Sequence, residues 1–207
     1  MSDEAPKSWS RYYARTRTEK PNPHLAFALS RIRGRARDCR VAMDGGCGAG
    51  RDTAFLLTAG FDVHAFDPDA RSITICEDRF RDLLGRGCFM HRADFVSAHY
   101  HPCAAFVATA SLFFTRPATF ADVWSRITSA IEPGGVFCGN LLGVRDTWAS
   151  PEADTVGVVT AFESHAARNL FGGFDIARWH ERDETGTTVS GNAKHWHTFH
   201  VVGVKRG

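Results

Sequence analysis

The sequence predicts an α/β fold with a doubly wound, mostly parallel sheet and an antiparallel hairpin at its C-terminal end. Three observations predict it. Short apolar runs alternate with longer amphipathic ones over about 100 residues, the pattern of strands joined by crossover helices. A glycine-rich turn follows the first apolar run directly. The last two strand-like runs, Phe174–Arg182 and Trp196–Val204, are nearly consecutive and joined by a polar, glycine-containing segment, DETGTTVSGNAK, as in a hairpin.

The elements follow in order. Residues 1–24 are polar and contain Pro6, Pro21 and Pro23, which leaves room for one short helix at most. His24–Gly34 fits a helix with Gly34 as its stop. Arg40–Asp44 is a short apolar strand, and Gly50–Ala59 is a helix ending at Gly60. Asp62–Phe66 is the second strand. Pro68 and Asp69 open a helix reaching to about Leu84, Asp69 being an acid placed to suit a helix N-terminus. Cys88–Arg92 and Ala104–Thr109 are the third and fourth strands. Ala118–Ile131 is a helix with Phe120, Val123, Trp124, Ile127 and Ile131 on one stripe. Pro133-Gly134-Gly135 is a turn into a fifth strand, Val136–Leu142, and residues 143–173 are irregular and then helical near Glu163–Phe171. Right-handed crossovers wind such a series into one sheet with helices on both faces.

Composition sets the outer bounds. The chain has 207 residues, 43% apolar and 23% charged, which suits a single domain. Twenty-five Lys and Arg against 23 Asp and Glu give a net charge of +2, no mandate for nucleic-acid or membrane binding. The longest mostly apolar run, Cys103 to Phe114, is about 12 residues, short of the roughly 20 that a membrane helix needs. The six cysteines form no C-x-x-C pair and the N-terminus has no signal-peptide pattern, so the expectation is reduced thiols and a cytoplasmic protein. Basic residues concentrate between Lys7 and Arg40, opposed only by Glu19 and Asp38. Such a segment could suit RNA or an anionic substrate, but a solvated helix face is the favoured reading.

The most informative segment is Asp44-Gly45-Gly46-Cys47-Gly48-Ala49-Gly50. Glycines between a strand and a helix permit a tight turn and close approach of a ligand to bare backbone. The dinucleotide pattern G-x-G-x-x-G fails here, because position 51 is Arg51; the spacing is Asp44-x-Gly46-x-Gly48-x-Gly50. Asp67, followed by Pro68, ends the second strand, where a carboxylate suits two ribose hydroxyls. Asp94 and Phe95 follow the third strand, and Ala110 and Ser111 the fourth.

This series resembles the class I S-adenosylmethionine-dependent methyltransferases, whose fold is a seven-stranded Rossmann-like sheet. The resemblance implies that Asp44 holds the amino-acid part of the cofactor and that Gly45, Gly46, Gly48 and Gly50 make room for it. It implies that Asp67 takes the ribose, Asp94 the adenine amino group with Phe95 flanking the ring, and Ala110 and Ser111 face the reactive end. A narrower likeness, carried by Gly48-Ala49-Gly50-Arg51-Asp52-Thr53, Ser111-Leu112-Phe113-Phe114 and the run Ile131–Trp148, is to the small-molecule methyltransferases of tellurite-resistance and thiopurine type. The implied division is a leader or lid over 1–39, a cofactor-binding core over 40–142, and a substrate-side insertion with hairpin over 143–207.

An activated methyl on a sulfonium asks the protein mainly for alignment and exclusion of water. A sulfur, selenium or tellurium nucleophile needs little more, whereas oxygen or nitrogen wants a general base. No catalytic residue is assigned. The candidates for the substrate pocket are Tyr12, Tyr13, Ser111, Arg145, Trp148, His195 and His197. His195 and His197 share a face of a strand, but as metal ligands they want a third partner, such as His180 or an acid, and none is indicated; no metal is assigned. Trp9, Tyr12 and Tyr13 suit a lid over a sulfonium. The expected state is a monomer or homodimer acting on a small molecule. An RNA methyltransferase using the basic leader, and a protein that binds the cofactor without turnover, stay open as alternatives.

Overall fold

A computed structural model describes residues 8–154, 157–187 and 193–207, with side chains described from residue 12 onward. Two short helices, α1 (Ser8–Thr16) and α2 (Leu25–Ser30), precede strand β1 (Val41–Gly45). Then follow α3 (Arg51–Thr58), β2 (Asp62–Asp67), α4 (Ala70–Arg79), β3 (Cys88–Arg92), β4 (Cys103–Ala108), α5 (Pro117–Ala130) and β5 (Ile131–Gly143). The chain ends with β6 (Ala161–Phe162), α6 (Ser164–Asn169), β7 (Phe174–Thr187) and β8 (Ala193–Lys205). The connection between β7 and β8 includes residues outside the described set, as does the side chain of Trp9.

The strands lie in the order β3-β2-β1-β4-β5-β8-β7, with the two-residue β6 paired to the far end of β5. Pairs from β3 to β5 are parallel; β8 runs antiparallel to β5 and to β7. The chain winds outward from β1 through β2 and β3, then reverses and winds from β4 to β5. The reversal opens a crevice between the carboxyl ends of β1 and β4, where ligands of open α/β sheets sit.

Alternation along the strands feeds two cores. Met43, Phe66, Phe106 and Phe137 face α5 and pack with Trp124 and Ile127. Ala42, Val63, Ala65, Val107 and Cys138 face the opposite side and pack with Leu25, Leu56 and Cys76. β4 is buried along its whole length, as a central parallel strand must be. The outer strand β7 is mostly exposed and carries Glu181, Arg182 and Asp183, charges that discourage edge pairing.

Several boundaries differ from expectation: α2 stops at Ser30, and β7 and β8 extend to Thr187 and back to Ala193, into the segment expected to join them. β5 begins at Ile131, five residues early, because Ile131 pairs with Cys103 while Val136 pairs with Ala105. The extra residues, Pro133-Gly134-Gly135 among them, bulge between those pairs. A Cβ at Gly134 would lie 2.1 Å from the Arg33 carbonyl oxygen, and Arg33 N–H donates to the Gly134 carbonyl at 3.0 Å, so the bulge is the seat of the leader. The helix after β2 stops at Arg79 and a single 3-10 turn, Arg81–Leu83, completes the span predicted to reach Leu84. All six cysteines are free. No helix among the described residues is long and apolar enough to cross a membrane.

Candidate active site

A cavity of about 570 Å³ lies over the carboxyl ends of β1, β2 and β4, a size within the range of cofactor sites. One end is walled by the glycine loop, Asp67–Asp69 and Asp94–Val96. The other is walled by Thr109–Ser111 and by Phe114, Thr115, Arg116 and Thr119, while Tyr12, Tyr13 and Thr16 of the leader close over it.

The glycine loop is shaped by approach from both sides. Gly46, Gly48 and Gly50 all take positive φ (69°, 54° and 74°), which L side chains rarely adopt. Gly46 and Gly48 line the cavity; Gly45 and Gly50 do not. A Cβ at Gly45 would lie 2.6 Å from the Phe95 ring, and one at Gly50 would lie 2.7 Å from the Phe80 ring. These two glycines therefore serve packing behind the lining.

The acids stand at their strand ends. Asp67, almost buried, accepts N–H bonds from Gly48 and Asp69, both at 2.9 Å. Burial raises its pKa, and the two backbone donors oppose the rise. Asp44 is buried and accepts the Thr53 hydroxyl at 2.6 Å; burial and then the nearby Asp52 carboxylate hold its pKa above the ordinary carboxylate range. Asp94 accepts from Val96 N, Ser97 N and Ser97 Oγ through its Oδ1, which together outweigh burial and lower its pKa. Phe95 sits edge-on to Phe66 at 5.1 Å, and both line the cavity. Pro68, Ala110 and Ser111 line it as well.

The leader is bolted down by one residue that sequence reasoning missed. Asn22 N–H donates to Asp52 Oδ1 at 2.8 Å, and Asn22 Nδ2 donates to Thr109 Oγ1 at 2.9 Å. That brings Tyr13 over Gly48, where a Cβ would lie 3.6 Å from its ring. Burial, followed by the charges of Asp67 and Asp69, raises the Tyr13 phenol far above its usual range, so Tyr13 stays a neutral donor to Asp69. Arg51 is held by Asp52 at 3.1 Å and Glu19 at 3.6 Å. Several leader arginines have partners too: Arg15 with Glu19, Arg17 with Asp78, and Arg33 with Asp175.

Four candidates lie outside the cavity lining: Arg145, Trp148, His195 and His197. Among the described residues of 143–173, none is in the lining of this cavity. The side chains of Arg145, Asp146 and Trp148 turn toward β7 and β8. Asp146 forms a buried ion pair with Lys194, whose ammonium lies 4.0 Å from the Trp148 ring centre and 4.5 Å from that of Trp196. Trp148 touches the cavity only at second hand, its ring centre 5.5 Å from that of Phe114.

His195 and His197 do share a face, and it looks at β7. His195 Nε2 pairs with Asp183 at 2.7 Å and His197 Nε2 with Glu181 at 2.9 Å. Glu181, Asp183 and His197 bring ligand-type atoms within 4.8 Å of one another. Hydrogen bonding argues against a metal there. Arg145 N–H donates to His197 Nδ1 at 3.0 Å, so the ring proton sits on Nε2 and is given to Glu181. The Arg145 guanidinium, paired with Asp183 at 2.9 Å and Glu181 at 3.3 Å, supplies the cation.

Sheet order, antiparallel last strands and a cavity at the β1/β4 reversal together define a Rossmann-like fold of the kind found in solved S-adenosylmethionine-dependent methyltransferases. The chain belongs to the family of the tellurite resistance protein TehB, whose model matches residues 34–193. No curated protein matches the sequence. Its structure is similar to that of TehB from Haemophilus influenzae, with a TM-score of 0.72 and 16% identity over 89% of this chain and 62% of that one. The chain thus spans less than two thirds of that relative's length. It is also similar to the 1,6-didemethyltoxoflavin N1-methyltransferase of Burkholderia thailandensis, solved with its substrate and S-adenosylhomocysteine (TM-score 0.62, 16% identity, 99% of this chain and 93% of that one). A third is the magnesium protoporphyrin IX methyltransferase of Synechocystis, solved with bound S-adenosylmethionine (TM-score 0.60, 13% identity, 99% and 86%).

Proposed function

We propose that this protein transfers the methyl group of S-adenosylmethionine to a small, soft, anionic nucleophile, a sulfur, selenium or tellurium species. The cofactor supplies a methyl group already activated on a sulfonium. The residues present fit it. Asp67 Oδ1 and Oδ2 each carry one backbone bond and keep acceptor capacity for two ribose hydroxyls. Asp44 offers a buried carboxylate for an ammonium, and Gly46 and Gly48 offer bare backbone. Asp94 and Phe95 flank the far end, and Ala110 and Ser111 the reactive end. Tyr12 and Tyr13 then close the site from the leader and keep water out.

One observation carries the choice of acceptor. Beside β4 the lining is Thr109, Ala110, Ser111, Phe114, Thr115, Arg116 and Thr119, no histidine or lysine is among the described lining residues, and the two carboxylates nearest β4 are held by other partners, Asp44 by Thr53 and Asp52 by Asn22 and Arg51. That wall aligns a nucleophile but has no side chain suited to deprotonating it. A thiolate, selenide or tellurium anion arrives ready to react; an amine or alcohol does not. Arg116 supplies a positive charge for it. On this reading residues 40–142 are the cofactor-binding core and residues 1–39 the lid.

The test is methyl transfer from labelled S-adenosylmethionine to a panel of thiols, selenium and tellurium oxyanions with a reductant, amines and carboxylic acids. Turnover confined to the chalcogen compounds is expected. Turnover of amines alone, or of none while S-adenosylhomocysteine binds, would refute the assignment.

A further inference from the structure

Ala110 has φ +53°, the one positive φ at a non-glycine position among the described residues, and it lines the cavity. An L residue in that region costs of order 1 kcal/mol, and such strain persists where surrounding contacts over-determine it. The last parallel pair between β4 and β5 is Ala108 with Gly139. Just beyond it, the Asn140 side chain takes over from the ladder: its Oδ1 accepts the Ala110 N–H at 3.0 Å. The turn so held throws Ser111 back onto the glycine loop, where its hydroxyl donates to the Gly45 carbonyl at 2.6 Å.

Asn140 is itself oriented. Because its Oδ1 is the acceptor for Ala110, its Nδ2 is the donor that meets His200 Nδ1 at 2.6 Å, across the antiparallel pair of β5 with β8. His200 Nδ1 must then be unprotonated, with the ring proton on Nε2, 3.2 Å from Thr198 Oγ1. The groups facing His200 favour the neutral ring. His24 of the leader and His180 of β7 lie at 5.6 Å each, with Arg182 of β7 and, beside His24, Arg178. Burial, then His24, His180 and Arg182, push its pKa down to about 4.

We propose that Asn140 and His200 are positioning residues: together they lock Ala110 in its left-handed turn and so set where the β4 end meets the reacting groups. The role in turnover rests on the methyltransferase reading; the hydrogen-bond relay does not. Neither residue touches the cavity.

Asn140→Asp tests this without removing the acceptor. Its carboxylate still accepts from Ala110, but it bonds His200 only when His200 Nδ1 is protonated, and it raises the pKa of that ring. Relative to wild type, the variant is expected to lose about 10- to 100-fold in kcat/KM at neutral pH, the scale of a small misplacement at a reacting centre. It should recover as pH falls and His200 charges. Wild type should do the reverse, because a protonated Nδ1 faces the Asn140 amide donor. His200→Asn, which restores an acceptor, should retain more activity than His200→Phe. Nitrogen-15 shifts of the His200 ring read the tautomer without turnover, and calorimetry with S-adenosylhomocysteine reads the cofactor site. A protein that binds the product but methylates nothing ends the functional reading and leaves the relay to the nitrogen shifts. A ring protonated on Nδ1 at neutral pH, or an Asn140→Asp enzyme with wild-type kcat/KM and pH profile, overturns the proposal.

Discussion

Asp67 Oδ2 accepts the backbone N–H of Gly48 at 2.9 Å, so the acid at the end of β2 and the glycine loop at the end of β1 form one unit. A second bond, from Asp69 N–H to Oδ1, fixes the other oxygen. Asp67 thus does two jobs: it holds the loop in shape and presents acceptors to the cavity.

Asp67→Ala should weaken S-adenosylmethionine binding by about 1.5–3 kcal/mol, the loss expected for hydrogen bonds to a charged acceptor. Calorimetry measures it. Asp67→Asn, which keeps one acceptor oxygen, should fall between. Unchanged affinity in the alanine variant would remove Asp67 from the ribose site.

Gly48→Val should abolish binding. Gly48 has φ +54°, and a Cβ there would already touch the Tyr13 ring at 3.6 Å, so a branched side chain strains the loop and fills the space below the lid. Circular dichroism should show a folded protein while calorimetry shows no heat with the cofactor. Retained affinity would mean that the loop is a turn and nothing more.

Cofactor affinity should depend on pH through Asp44. Burial and Asp52 raise its pKa, so the cofactor-free protein keeps the Asp44 proton to higher pH than an ordinary carboxylate would. An ammonium needs the carboxylate form. Binding therefore tightens as pH rises through that raised pKa and weakens below it, by at most about tenfold per pH unit, the slope for one linked proton. Asp67, also raised, contributes with the same sign. Asp44→Asn isolates the first effect. Calorimetric titrations across pH should show a shallower slope in that variant, and an identical slope would refute the assignment.

Much of the site is legible in the sequence because it is local. Asp44, Asp67 and Asp94 end or follow strands whose apolar runs are short and bounded, so their place at the sheet's carboxyl edge follows from topology. Alternation also puts His195 and His197 on one face correctly. What alternation cannot tell is the neighbour on that face, and the neighbours are Glu181 and Asp183 of β7, brought there by strand pairing. Asn22 reaches Thr109 across 87 positions, and Asn140 reaches His200 across 60. Neither contact leaves a mark in a local pattern. Thr115, Arg116 and Thr119 enter the cavity only because a 3-10 turn, Leu112–Phe114, redirects the chain after β4.

Core packing gives a separate check on the fold. Phe106, in the middle of β4, is fully buried and meets the Tyr100 ring edge-on at 5.5 Å. Phe106→Ala should cost about 3–5 kcal/mol in denaturant unfolding, the transfer loss plus the cavity left behind. A loss under about 1 kcal/mol would contradict a close-packed centre to the sheet.

Arg116 bears on the acceptor itself. It precedes α5, lies exposed at the rim, and is the only cationic side chain among the described residues that wall the β4 end of the cavity. If it attracts an anionic nucleophile, Arg116→Ala should raise KM for the acceptor by about two- to fivefold while leaving cofactor affinity unchanged, the scale of one lost exposed charge contact. Added salt should weaken the wild type toward the variant, because an exposed charge is screened within about 8–10 Å at ordinary ionic strength. Arg116→Lys should keep most of the attraction, since a point charge suffices where no bidentate geometry is imposed. Steady-state kinetics on one chalcogen acceptor and one neutral thioether decide it. An equal loss on both substrates would mean that Arg116 shapes the rim and does not read charge.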